Sequence, residues 1–360
     1  MAVKGFVFKS AKAQNKPPSK FRNFIERSTN AAFPAEKDRY HLYVSYACPW
    51  ASRCLSTMYL KRLDNIIGLS VVHPLMQRTR PDDKDDVHTG WTFVDPATTP
   101  SLTGPTWTFV DPATTSSLTG PTGHGTYSSK GCIPDTVNNT HFIRDLYEKC
   151  TSEKTAYSVP LLWDKKQNTI VSNDSADIVR MFNSAFVDLV PSTLDLYPED
   201  LRSQIDEIND WIYHDVSHGV YKCGFAGSQE LYDAAVDKVF EGLDRCEEIL
   251  SKHRFLVGDR LTEADLKLFP TLVRFDEVYA VHFKANKKLI QQYPNLSNYV
   301  RDIYQLPRMS ETVVMSHIAA HYYGSHTHLN QFGIVPAGPK IDFSRPHDRD
   351  RFTDAILPTI

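Results

Sequence analysis

Apolar and polar positions divide the chain into two regimes. Up to about residue 190, short apolar runs alternate with amphipathic stretches; from Pro198 onward the spacing is helical and no strand candidate interrupts it. Tyr40-His-Leu-Tyr-Val-Ser-Tyr46 reads as a strand, Ala51 to Arg62 as the helix after it, and Ile66 to His73 as a second strand. His141 to Lys149 has helical spacing. Ser158 to Trp163 and Thr169 to Ser172 read as a hairpin around the polar Asp164-Lys-Lys-Gln-Asn168. A helix follows from Ala176, with Asn173 or Asp174 as its cap. Leu201 to Val216, Ser228 to Lys252, Glu263 to Ala280 and Leu296 to His317 read as helices, and Thr262-Glu-Ala-Asp265 as a capping box that opens the third.

Two stretches fall outside this pattern. Trp91 to Thr106 recurs almost unchanged from Trp107 to Thr122, with Ser116 in place of Pro100. Two copies cannot stack into a solenoid, so the repeat reads as a duplication in a surface loop, where added length costs little entropy. Residues 81–139 are expected to form that loop, mobile or loosely packed through residues 123–139. Ahead of the first strand, Lys4, Lys9, Lys12, Lys16, Lys20, Arg22 and Arg27 stand against the single acid Glu26. Lys16-Pro-Pro-Ser19 interrupts any amphipathic helix there, so a solvated basic arm is favoured over an organellar leader. The expected divisions are an arm (1–37), an α/β domain (38–190), an all-helical domain (191–330) and an extension (331–360).

Composition narrows the chemistry. Of the 360 residues, 41% are hydrophobic and 23% charged, the profile of a globular chain, and the net charge of −3 gives no reason to expect a nucleic-acid partner. No apolar run approaches the roughly 18 residues of a membrane span. Six scattered cysteines fit a reducing compartment better than a disulfide framework, which favours the cytoplasm, with a mitochondrial location as the lesser alternative. His317 and His321 are four apart, but the Ile-Ala-Ala between them offers no catalytic carboxylate and the ligand set is incomplete; no metal is expected.

The candidate chemistry lies at Cys48-Pro49-Trp50. A cysteine on a strand-to-helix turn, with proline at the first helical position, has backbone N–H groups and a helix dipole aimed at its sulfur. That setting lowers a thiol pKa from about 8.5 by one to several units. Three residues on stands Ala51 where a redox pair has its second cysteine, so an external thiol must complete any cycle. Cys54, within the helix, reads as a packing residue.

The order strand, helix, strand, loop, helix, hairpin, helix is that of a thioredoxin-like domain. Followed by an all-helical domain, it resembles the glutathione transferases. Cys48-Pro-Trp-Ala51, Val159-Pro-Leu-Leu-Trp-Asp164, Ile170-Val-Ser-Asn-Asp-Ser175, Gly219-Val-Tyr-Lys-Cys-Gly-Phe-Ala226, Leu261-Thr-Glu-Ala-Asp265, Arg274-Phe-Asp-Glu-Val-Tyr279 and His321-Tyr-Tyr323 resemble one branch in particular. That branch is the glutathionyl-hydroquinone reductases, also called Xi-class or omega-like transferases. The resemblance implies that Cys48 is the nucleophile, with glutathione as co-substrate, in a ping-pong cycle through a mixed disulfide. It implies that Trp91, Val159, Asp174 and Ser175 bind glutathione, that Tyr221 and Tyr322 bond the quinol oxygens, and that Pro49, Trp50 and Tyr279 line the substrate pocket. A homodimer is implied too.

The sequence departs from the family at three places. Asp174 stands where the family usually has glutamate, the family's arginine ahead of the Val-Pro turn is not evident around Thr155-Ala-Tyr-Ser158, and Trp107 rivals Trp91 for one position. Trp91 keeps the preceding glycine of the family's Gly-Trp pair and is favoured. Two other functions compete: a general omega-like thiol transferase or dehydroascorbate reductase without quinone preference, and a non-catalytic transferase-like binding module. Retention of Cys48 with its Pro-Trp flank argues against the second.

Overall fold

The computed structural model describes residues 19–94 and 117–357. Trp107, most of the tandem repeat and the basic residues ahead of Ser19 lie outside the described residues. The first regime folds into β1 (Tyr40–Val44), α1 (Pro49–Leu60), β2 (Gly68–Val71), β3 (Met76–Arg78), β4 (Thr89–Trp91), β5 (Ser117–Thr119), β6 (Thr126–Ser128), α2 (Ile143–Cys150), β7 (Leu161–Asp164), β8 (Thr169–Ser172) and α3 (Ser175–Ser184). The main sheet runs β2-β1-β7-β8, with β1 and β2 parallel and the other pairs antiparallel. All five residues of β1 are buried, as a central strand covered on both faces requires. This is the thioredoxin-like arrangement that the element order predicts.

Neither outer edge of that sheet is left bare. Residues 21–23 pair with β8, where Asn23 N–H donates to Val171 and Asn173 N–H to Phe21, both at 3.0–3.1 Å. Ile25 and Phe33 enter the core, so the stretch from Ser19 is packed rather than a solvated arm. On the other edge, Ile133 exchanges both backbone bonds with Val71 of β2. Asp135, fully buried, accepts from the Tyr43 hydroxyl at 2.8 Å and the Thr140 hydroxyl at 2.6 Å. The segment expected to be loose is thus an edge cover, with the β5–β6 hairpin docked on the C-terminal extension through Tyr127 Oη to the Gly333 carbonyl (2.8 Å). Covering an open edge satisfies its backbone groups and blocks strand-to-strand association.

The second regime forms α4 (Arg202–Trp211), α5 (Gly219–Gly224), α6 (Gln229–Lys252), α7 (Glu263–Arg274), α8 (Ala280–His282), α9 (Pro294–Gln305) and α10 (Met315–Ser325) around a core of its own. Thr262 and Asp265 make the capping box, Asp265 accepting from Thr262 N–H at 2.8 Å. The helix expected over 296–317 is broken. Leu306, directly before Pro307, is extended at ψ 148°, because proline's ring crowds a helical predecessor. Leu201–Val216 and Glu263–Ala280 each change to a π-helical turn, at 212–217 and 275–279. Among the described residues no helix is long and apolar enough to cross a membrane.

Candidate active site

Cys48 is the N-cap of α1. The chain leaves β1 and turns at Ser45, whose carbonyl accepts from Cys48 N–H at 3.1 Å and whose hydroxyl accepts from Ala47 N–H at 3.2 Å. Pro49, buried, occupies the first helical position, and Ser52 N–H donates to the Cys48 carbonyl at 2.9 Å to begin the ladder. The sulfur therefore sits at the positive end of a twelve-residue helix. It is 9% exposed and donates to the Val159 carbonyl at 3.5 Å. The Val159-Pro160 peptide is cis. Cys54 is fully buried, its thiol on the Ser175 carbonyl at 3.4 Å, and burial pushes its pKa well up.

Asp174, rather than Asn173, caps α3. Its Oδ1 accepts from Ala176 N–H at 2.9 Å and Asp177 N–H at 3.2 Å, while Oδ2 faces the Ser19 hydroxyl at 3.5 Å. Ser175 begins the helix, and its hydroxyl accepts from Arg53 Nε at 3.0 Å and Nη2 at 2.5 Å. Arg53, one turn along α1 from Cys48, is itself buried, and its guanidinium lies 5.1 Å from the Trp50 ring centre. Sequence reasoning passed over Arg53; its place one turn past an N-capping cysteine was the available signal. Lys154, the nearest cation in sequence to the Val-Pro turn, is exposed.

Trp91 ends β4 and stacks on His321 of α10, ring centres 4.6 Å apart. Gly90 fits there because a Cβ would come within 2.8 Å of His88. The two histidines considered for a metal face separate partners: His317 Nε2 lies 2.6 Å from the Lys130 carbonyl and His321 Nδ1 lies 2.9 Å from the Pro74 carbonyl.

Tyr221, Tyr279 and Tyr322 come together from α5, the 275–279 turn and α10. The Tyr322 hydroxyl lies 2.5 Å from that of Tyr221 and 2.9 Å from that of Tyr279. Each π turn inserts a residue against the α register, the usual mark of a helix shaped by a site. One lies just before Tyr221 and the other ends on Tyr279. Gly224 lets α5 close on the Phe283 ring, which a Cβ would meet at 2.1 Å. Burial drives all three phenols up, so they stay protonated and able to donate. Among the charges acting on Tyr279 is the Cys48 sulfur, so this member of the trio lies within electrostatic reach of it.

Around the trio stands a wall that sequence reasoning missed. Phe283 stacks on Tyr279 at 5.6 Å and on His326 at 6.0 Å, and half-exposed Phe225 stacks on His328 at 5.3 Å. Burial pushes His326 down to about 2 and His282 to about 4, so both imidazoles are neutral at pH 7. Trp50 faces the same region from α1, 5.7 Å from Tyr213. Arg274, the last residue of α7, was quoted only as part of a motif. Fully buried, it crosses to the turn before Cys48, donating from Nη2 to the Tyr46 carbonyl at 2.8 Å and from Nε to the Ala47 carbonyl at 3.3 Å.

Comparison with known proteins follows the same outline. Residues 47–185 match the family described as the glutathione S-transferase N-terminal domain, and residues 229–302 its C-terminal domain. The glutathionyl-hydroquinone reductase YqjG of Escherichia coli is 46% identical over 92% of this chain and 90% of its own. The reductase PcpF of Sphingobium chlorophenolicum is 38% identical over 86% of each. The glutathione-bound structure of YqjG superposes with a TM-score of 0.77 at 45% identity, covering 92% of this chain and 96% of that one. With two domains matched in order and a reductase aligned along nearly its whole length, the chain belongs to the glutathione transferases, in the branch of the glutathionyl-hydroquinone reductases.

Proposed function

We propose that this protein is a glutathione-dependent reductase that removes glutathione from glutathionyl-hydroquinones through Cys48. In this reading the Cys48 thiolate attacks the glutathionyl sulfur of the substrate. The bond between that sulfur and the ring carbon breaks, and its electron pair stays on carbon, which takes a proton. The hydroquinone leaves, and Cys48 is joined to glutathione as a disulfide. A second glutathione thiolate attacks this disulfide, releasing glutathione disulfide and the Cys48 thiolate. Two glutathionyl sulfurs are oxidised and one ring carbon is reduced, so the balance closes without a metal.

The observation that carries the reading is one sulfur at a helix start, beside the Val159 carbonyl and within electrostatic reach of Tyr279, whose hydroxyl is linked through Tyr322 to Tyr221. Asp174 and Ser175 at the start of α3 would hold the γ-glutamyl end, Val159 the cysteinyl backbone, and Trp91 the tripeptide's flank. Tyr221 and Tyr322 would bond the quinol oxygens and supply the proton, with Pro49, Trp50 and Tyr279 as pocket wall. Reduction of simple mixed disulfides would use the same sulfur without the phenols. The reading includes residence in the cytoplasm, where thiols stay reduced, and assembly as a homodimer.

Intact mass spectrometry after mixing with a glutathionyl-hydroquinone tests it. One glutathionyl unit on Cys48, removed by free glutathione, is expected. A Cys48→Ala protein with undiminished turnover refutes it.

A further inference from the structure

Arg274 occupies a place that packing alone does not explain. It belongs to the helical domain, yet two of its three hydrogen bonds go to carbonyls of the turn that presents Cys48; the third is to Pro270 at 2.8 Å. The side chain is fully buried, and among the described residues no carboxylate forms an ion pair with it. Carbonyl dipoles offset part of the cost of burying a guanidinium, but a buried charge without an anion remains costly. The two carbonyls it holds belong to the residues immediately before the nucleophile. Its positive charge also bears on Tyr279 and Tyr322, favouring their ionised forms.

We propose that Arg274 is a positioning residue that fixes the Tyr46-Ala47 turn and whose buried charge is balanced by the Cys48 thiolate. This rests on Cys48 being the nucleophile. Other groups stand on the elements around that turn. The Cys48 charge acts on Cys54 in α1 and on Tyr279 of the 275–279 turn, and Arg53 and Asp174 act on Cys54 beside it. His317 of α10 packs on Tyr46 of the turn itself, with His321 and Tyr322 on the same helix. Of these, Arg53 is directed to the Ser175 hydroxyl of α3 and not to the turn, and the imidazoles are held neutral by burial. Arg274 is thus the cation tied directly to the nucleophile's turn. Its planar guanidinium reaches the Ala47, Pro270 and Tyr46 carbonyls from three separate nitrogens, a geometry that a lysine's single ammonium does not reproduce.

The test is the pH dependence of Cys48 alkylation by iodoacetamide, read by intact mass, in Arg274→Gln and Arg274→Lys, with melting followed on the same samples. The thiol midpoint is expected to rise by about one pH unit in the glutamine variant, a roughly tenfold loss of alkylation rate below both midpoints. The lysine variant should lie between, a few tenths above the parent. A folded glutamine variant with the parent's midpoint overturns the proposal; if it does not fold, a lysine variant with the parent's midpoint does so. A fall in melting temperature alone would mark a merely structural residue and also counts against it. Alkylation does not depend on turnover, so these outcomes stay separable from a failure of the reductase reading, which Cys48→Ala turnover reports.

Discussion

Tyr322 is the hub of the phenol trio, which makes Tyr322→Phe the sharpest perturbation of the site. Removing its hydroxyl breaks the contacts at 2.5 and 2.9 Å, whereas Tyr221→Phe leaves the 2.9 Å contact between Tyr322 and Tyr279 in place. At about 1 kcal/mol net for each neutral hydrogen bond, Tyr322→Phe should cost about 2 kcal/mol of stability and Tyr221→Phe about 1. The catalytic effect should be larger and selective. Cleaving carbon from sulfur leaves an electron pair on a ring carbon that must be protonated as it forms. Cleaving a disulfide leaves it on a thiolate that survives unaided at neutral pH. Loss of a positioned proton donor typically costs 10²–10⁴-fold, so about 10²–10³ in kcat/KM toward a glutathionyl-hydroquinone is expected, or about 3–4 kcal/mol of barrier. Turnover of a glutathionyl mixed disulfide should stay within about threefold of the parent, since its barrier uses none of this. Chromatographic assay of hydroquinone release beside a coupled assay of glutathione disulfide gives both numbers on one preparation. Equal losses on the two substrates would refute the division of labour, and no loss on either would remove the tyrosines from the chemistry.

Three further outcomes are expected. Asp174→Asn keeps an N-cap acceptor but loses the charge, so KM for glutathione should rise with melting unchanged; Asp174→Ala should add a stability loss of about 1 kcal/mol, checked by urea denaturation. Deleting residues 95–110 leaves Val94 followed by Asp111, one whole copy of the repeat and every described residue in place, so melting temperature and kcat/KM should not move; a loss of either would give the second copy a part in the site. Burial pushes His41, bonded to Ser70 at 2.8 Å, down to about 3 against about 6.5 unfolded, so its stability contribution is complete above pH 6.5 and is lost as pH falls from there toward 3. Urea midpoints at pH 7 and 5 should show His41→Gln losing about 2 kcal/mol less on acidification than the parent does.

Much of this architecture was legible because its determinants are local. A cysteine followed by proline between a strand and a helix can be read from three residues, and the structure puts that sulfur at the helix start. The Thr262–Asp265 box and the β7–β8 hairpin are likewise set by residues within a few positions of one another. Periodicity failed where the deciding feature is not part of the hydrophobic pattern. Helical spacing over 296–317 is real on both sides of Pro307, yet the chain breaks there because of a ring that a hydrophobic pattern does not register. The π turns at 212–217 and 275–279 are invisible for a related reason: one inserted residue shifts the register without changing composition.

Arg274 marks the limit of such reading. Its motif was plain, but its partners are backbone carbonyls up to 228 residues away, and a carbonyl is common to every residue. An ion pair leaves a complementary side chain to be noticed in the sequence; a contact with the main chain leaves no trace in the residue it touches. Chemistry placed by side chains on one element, such as Cys48 on α1, is therefore recoverable from words in the chain. Chemistry set by the docking of one domain's guanidinium onto another domain's turn becomes visible only once the two are folded together, and this is the part of the site that the arginine variants address.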